Sequence, residues 1–335
     1  MFVRNDSRSS PTLQRGHVTD EIAVAALVVA TAYRVHDDRL EVLDAPPDPV
    51  PSDPPDTSRY VLWEGVSLTA AGTAFGPPKA PHVQPVSLRA GEQLRRLVVF
   101  GDRVWTRQLG GGLVASAAAP FEAIELSWKR AFGGGWDVPP GLLEGTDLPH
   151  PGFRRDYVWN PGGVGYYPDA ARAAGAPLPN VERPDQLVQK WSDAPDPAGF
   201  TPCFDLLGFR MRDETQAQFA AHVAAGRAPA DFPQPAPSPR MHHHAPPDLI
   251  LADLPAGTPI ELAGLGERPV KLAVPRCPVR ATVRGRKADT TLSPRLRAVH
   301  VNADQRVARV VYDLSFRYDP RRAPHGLRVA DEVTA

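Results

Sequence analysis

The sequence predicts a mainly β protein: an antiparallel, sandwich-like body with long irregular loops rich in glycine, proline and aromatic residues, and one or two short helices. Three observations carry this. The 335 residues include 39 prolines; proline removes a backbone donor and breaks helix interiors, which leaves little room for long helices. Short apolar stretches of strand character gather at both ends of the chain. Between them, from Gly133 to about Pro202, no helical or strand period is visible.

Taken in order, the start "MFVRNDSRSSPTLQRGHVTDE" mixes arginines with acids and has no apolar core behind it. It does not read as a signal peptide, and residues 1–20 are expected to form a flexible tail. Ile22–Val35 is valine-rich and reads as a strand buried on both faces. Leu40–Asp44 should pair back to it across "HDDR". Ala45–Asp56 is a loop of prolines and aspartates. Arg59–Ala70 and His82–Ala90 follow as strands, and Gln93–Leu109 as a hairpin turning at Gly101-Asp102. Pro120–Trp128 alternates imperfectly as a further strand.

Arg212–Arg227 is the best helix, with Asp213 as its cap, Glu214 in the first turn and Gly226 closing it. Strands return at the C-terminal end. Val310, Tyr312, Leu314, Phe316 and Tyr318 alternate with polar positions, and Asn302–Gln305 is a turn joining that strand to "RLRAVHV". The expected organisation is one β-rich domain over residues 21–320, with an irregular middle at 133–247 and a C-terminal tail at 321–335.

Composition narrows the function. Lys+Arg and Asp+Glu both total 38, a balance that argues against a nucleic-acid groove or a basic membrane-binding face. The longest apolar run, Ile22–Ala30, is far short of the about 20 residues that span a bilayer. Cys203 and Cys277 are the only cysteines, so there is neither a disulfide framework nor a CxxC pair. A cytoplasmic location is the expectation.

The glycine runs raise phosphate binding and then fail it. "GGGW" lacks the Lys-Ser/Thr end of a P-loop, and "NPGGVGYY" lacks G-x-G-x-x-G spacing. Flanked by Phe132, Trp136 and Trp159, these glycines read as places where backbone passes close beneath aromatic rings. "MHHHAPPD" suggests a metal, but in an extended segment only His242 and His244 share a side, and no third ligand is at hand. A polar loop is the preferred reading there, with His242 and His244 as weak metal candidates. No G-x-S-x-G is present and neither cysteine has a telling neighbourhood.

The order of "FGDRVW" (Phe100–Trp105), "FEAIELSWKRAFGGGWD" (Phe121–Asp137), "NPGGVGYY" (Asn160–Tyr167), "LPNVERPD" (Leu178–Asp185), "DPAGFTP" (Asp196–Pro202) and "DTTLSP" (Asp289–Pro294) resembles a bacterial domain-of-unknown-function family associated with type VI secretion. The resemblance covers about Val24 to Tyr318. It implies a cytoplasmic adaptor or chaperone, neither catalytic nor cofactor-dependent. Its partners would be a toxic effector and the secretion spike, a valine-glycine-repeat trimer with a PAAR tip. The chain departs from the family pattern at "GPPKAPHVQP", which keeps Lys79 without a following aspartate. It also departs at "HHHAPPDLI", which keeps Ala245, Pro246 and Asp248 without a glutamine.

The residues expected to bind a partner or to organise the loops are Arg103, Trp105, Arg130, Trp136, Asp137, Trp159, Asn160, Tyr166, Tyr167, Asn180 and Glu182. The aromatics offer large contact area with few rotors, and the charged and amide groups offer fixed hydrogen bonds. The same residues would serve equally to fasten the middle segment to the sheets. Two other readings stay open. One is a carbohydrate or peptide hydrolase using a pair among Asp137, Glu144, Asp156, Asp169 and Glu182; the other is an immunity-like protein that blocks a toxin through a charged face.

Overall fold

The computed structural model describes residues 2–7, 9–19, 21–37, 39–43, 64–79, 82–139, 153–203, 206–233, 243–285 and 288–332. The loop expected at Ala45–Asp56, the start of the strand expected from Arg59, Glu144 and His242 lie outside them.

Three large sheets share one apolar core. The seven-stranded sheet runs, in spatial order, Ile250–Leu251, Val66–Ala71, Arg295–Asn302, Val307–Tyr318, Ile22–Val35 and Ser10–Thr19, with Leu40–Leu43 pairing the far end of Ile22–Val35. The five-stranded sheet runs Val181–Glu182, Gln93–Phe100, Val83–Ala90, Pro259–Ala263 and Val270–Ala273. The four-stranded sheet runs Phe2–Asp6, Gly326–Asp331, Val279–Arg284 and Asp289–Leu292. Side chains from all three, among them Leu27, Val29, Leu68, Leu88, Leu262, Val310 and Val329, join one buried cluster. Each such side chain contributes about 1.5–3 kcal/mol on leaving water.

Mainly β holds, and the sheets are mixed rather than purely antiparallel. Val66–Ala71 lies parallel to Arg295–Asn302, and Phe2–Asp6 parallel to Gly326–Asp331. Ile22–Val35 is buried on both faces: Val24, Ala25, Ala26 and Leu27 in succession are at most 1% exposed. That is why its sequence is a continuous apolar run rather than an alternation. The expected C-terminal hairpin is present, with Asn302 opposite Val307. Its turn holds Arg306 at φ 51, and that guanidinium reaches the carbonyl oxygens of Val35 and Pro269 and a carboxylate oxygen of Asp37.

Four expectations need correction. Residues 1–20 are not a tail: Phe2–Asp6 and Ser10–Thr19 are strands, paired with Gly326–Asp331 and Ile22–Val35. Within the expected C-terminal tail, Gly326–Asp331 is likewise a strand, in the same sheet as Phe2–Asp6. Polar sequence misled because sheet strands with one face in water need few apolar residues. The hairpin does not turn at Gly101-Asp102. Gln93–Phe100 pairs with Val83–Ala90 around Gly91, and Trp105–Arg107 pairs with Leu113–Ala115. Gly101 serves close approach instead, since a Cβ there would sit 1.8 Å from the Ala119 carbonyl oxygen.

The fourth correction concerns the helices, α1 (Ala170–Ala173), α2 (Leu207–Arg210) and α3 (Arg212–Ala224). Gly226 closes α3 with φ +72, as expected, but Asp213 lies inside its first turn rather than capping it.

Candidate functional site

The loops singled out in the sequence converge on one another. Glu182 sits in the short strand Val181–Glu182, at the edge of the five-stranded sheet, and is 2% exposed. One carboxylate oxygen pairs with the Arg103 guanidinium, and the other accepts the Val188 N–H at 2.8 Å. Arg103, 8% exposed, also donates to the Pro179 carbonyl at 2.7 Å and lies 3.9 Å above the Phe100 ring. Burial pushes the Glu182 carboxyl above the usual carboxylate range, while Arg103 and the Val188 N–H pull it back.

Asn180 fastens a second pair of loops. Its amide nitrogen donates to the Phe100 carbonyl (3.1 Å) and to Asp102 (3.0 Å), and its amide oxygen accepts from Arg130 (3.2 Å). Asn160 fastens a third. It is 1% exposed and donates to the carbonyls of Trp128 (2.8 Å) and Phe132 (3.0 Å). Its own carbonyl accepts the Gly134 N–H at 2.8 Å.

This close crossing explains the glycine runs. Gly133 adopts φ +150, and a Cβ on it would meet the Asn160 carbonyl oxygen at 2.1 Å. A Cβ on Gly163 would meet the Asn160 side chain at 2.4 Å. Neither position tolerates a side chain without moving backbone.

The aromatic candidates are mostly inward. Trp105 and Phe132 are buried with Ala173, Leu178 and Val188, and Tyr157, Tyr166 and Tyr167 pack on that cluster. The Tyr167 hydroxyl donates to the Pro177 carbonyl at 2.6 Å, and burial raises the phenol to about 12. Trp159 packs with Trp128 on a separate cluster of Cys203, Leu206 and Phe209. Trp136 is half-buried beneath the Arg172 guanidinium, 5.6 Å from its ring, and its indole N–H is buried without a partner. Asp137 alone of the named polar residues is exposed, opposite Arg154 in a short strand pair.

Three of the carboxylates considered for hydrolysis are engaged locally. Glu182 is paired with Arg103, Asp156 with Arg154 at 2.7 Å, and Asp169 caps α1 by accepting the Arg172 N–H. His244 presents its backbone carbonyl to the Cys203 N–H. Among the described residues no group of three His, Cys, Asp or Glu side chains is placed to hold a metal ion. No described helix is long and apolar enough to cross a membrane.

Sequence reasoning missed two fastenings. His243, between the two flagged histidines, is buried, with no exposed surface. Its Nε2 lies 2.6 Å from the Glu64 carbonyl and its Nδ1 contacts the Ser67 hydroxyl. A carbonyl only accepts, so Nε2 carries the proton and Nδ1 accepts from Ser67. The alternation rule did separate His243 from its neighbours; which side faced inward was not readable. Asp248 also lies between Arg95 (3.2 Å) and Arg183 (3.5 Å), tying "APPD" to "NVERPD".

A family of uncharacterized proteins conserved in bacteria, DUF2169, matches residues 25–313. The chain belongs to this family. Every loop fastening described above falls inside the DUF2169 span. No curated protein and no solved structure matches the chain.

Proposed function

We propose that this DUF2169 protein is a non-catalytic adaptor of type VI secretion. It would hold a toxic effector in the cytoplasm and help load it onto the spike and its PAAR tip. The motif order that resembles secretion adaptors is the starting point. The observation that carries the reading is the use of the motif residues: Arg103, Asn160, Asn180 and Glu182 bond one another's loops, making a preset frame rather than a set of reactive groups facing a cleft. A frame fixed before binding costs little to order on association, which suits a protein that must present a surface and then release it.

The test is co-expression of the tagged chain with the effector and spike genes beside its own, followed by pull-down and a secretion assay in a deletion strain. The adaptor reading expects an effector or a PAAR-tipped spike component to copurify, and expects secretion of that effector to stop on deletion. Failure of both sinks it.

A further inference from the structure

The ribbon that carries "GGGWD" sorts its charges by side. Gly135–Asp137 pairs antiparallel with Arg154–Asp156, setting Trp136 opposite Arg155 and Asp137 opposite Arg154. Directly opposite residues share a face, and faces alternate along each strand. Asp137, Arg154 and Asp156 therefore stand on one side, where Arg154 holds Asp156 at 2.7 Å. Trp136 and Arg155 stand on the other side, and neither strand adds a carboxylate there.

α1 brings a second cation to that side. The Arg172 guanidinium lies 5.6 Å from the centre of the Trp136 ring. Arg155 and Arg172 are both exposed, and Trp136 is half-buried. Among the described residues neither guanidinium has a carboxylate within ion-pair distance. The acid nearest in sequence to Arg172 is Asp169, which accepts the Arg172 backbone N–H at 2.8 Å. A guanidinium stacked on a ring keeps its in-plane N–H groups free to donate. The Trp136 indole N–H is buried, so the donors offered to a partner are those of the two arginines, with the ring as their floor.

We propose that Arg155 and Arg172, on either flank of Trp136, bind a carboxylate of an acidic segment in a partner protein. Arginine forks match a carboxylate with two parallel hydrogen bonds. Charge decides against a polyanion. Arg154, Arg155 and Arg172 are balanced by Asp137, Asp156 and Asp169, so no net positive field draws a nucleic acid or a multiply charged phosphate. What remains is a short-range preference for a single negative charge on the aromatic side of the ribbon. This inference does not depend on the adaptor role.

Calorimetric titration of the full chain at low salt with end-blocked hexaglutamate tests it, with hexaglutamine and inorganic phosphate as comparisons. Hexaglutamate should bind saturably, hexaglutamine should not bind, and phosphate should bind more weakly than hexaglutamate. Arg155→Gln and Arg172→Gln should each weaken hexaglutamate about tenfold, the loss of one charge-assisted hydrogen bond. Arg155→Lys keeps the charge without the fork and should also weaken it. Arg154→Gln removes the same charge from the opposite side of the same ribbon and should leave the affinity unchanged. Melting temperatures confirm that each variant is folded. Absence of hexaglutamate binding, tighter binding of phosphate, or an equal loss at positions 154 and 155 would each overturn the proposal.

Discussion

Replacing Glu182 by glutamine isolates the central fastening. The amide keeps the shape and can still accept the Val188 N–H, so what is lost is the countercharge to Arg103. That guanidinium is 8% exposed and cannot shed its proton. Removing one partner of a buried pair costs about 3–5 kcal/mol. The Pro179 carbonyl and the Phe100 ring still engage Arg103, which places Glu182→Gln near the lower end, about 3 kcal/mol. Arg103→Met should behave differently, because the stranded carboxyl can take up a proton. Its folded-state pKa is already raised by burial, and loss of the cation raises it further. The deficit is therefore largest at high pH and shrinks as pH falls through that raised value. The double variant Arg103→Met/Glu182→Leu removes both charges and should return to within about 1 kcal/mol of the parent. Urea unfolding followed by the fluorescence of the six tryptophans, at pH 5 and pH 8, reads all three. A Glu182→Gln protein as stable as the parent, or an Arg103→Met deficit equal at both pH values, would refute the argument.

Three further outcomes are expected. Gly133→Ala should destabilise strongly, by about 2 kcal/mol or more, because it adds a clash with the Asn160 carbonyl to an unfavourable φ; Gly111→Ala, at φ +95 but in open space, should cost only about 1 kcal/mol, and thermal melts compare the two. Burial, with Arg309 nearby, depresses His300 to about 4. Its neutral form is thus favoured in the fold, and stability present above about pH 6.5 is lost as pH falls toward 4; the full shift of about 3 kcal/mol is trimmed by the ring's partial exposure, and His300→Gln should flatten the melting-temperature profile across that window. Thiol titration at pH 8 should find Cys203 and Cys277 nearly inert in the folded chain and fast after unfolding, because burial raises both; rapid labelling of the native protein would contradict their placement.

The legible parts of the fold were those with local signatures. The alternation from Val310 to Tyr318 and the Asn302–Gln305 turn specify a hairpin without help from the rest of the chain. The continuous run Ile22–Val35 declared burial on both faces. The terminal strands were not legible, because Phe2–Asp6 gains its partner from Gly326–Asp331, over three hundred residues away. Phe2–Asp6 lies at the edge of its sheet and can stay polar, while Gly326–Asp331 lies inside it. Gly101 looked like a turn residue, since a turn and a close approach demand the same absent side chain.

The candidate residues were legible as a set and not in their roles. Sequence singled out Arg103, Asn160, Asn180 and Glu182 together, and read the glycine runs as close passages beneath aromatic rings, whereas Gly133 and Gly163 pass against Asn160. Whether Glu182 met a partner or Arg103 depended on which of several loops lay over it, a matter of long-range packing. His243 shows the same limit from the other side: strand alternation set it apart from His242 and His244, yet only the neighbouring sheet decided that it was buried. Sequence by itself determined the β character, the C-terminal hairpin and the residue types that the loops require. Tertiary structure alone decided which polar groups faced one another, because desolvation and pairing depend on neighbours that the chain order does not reveal.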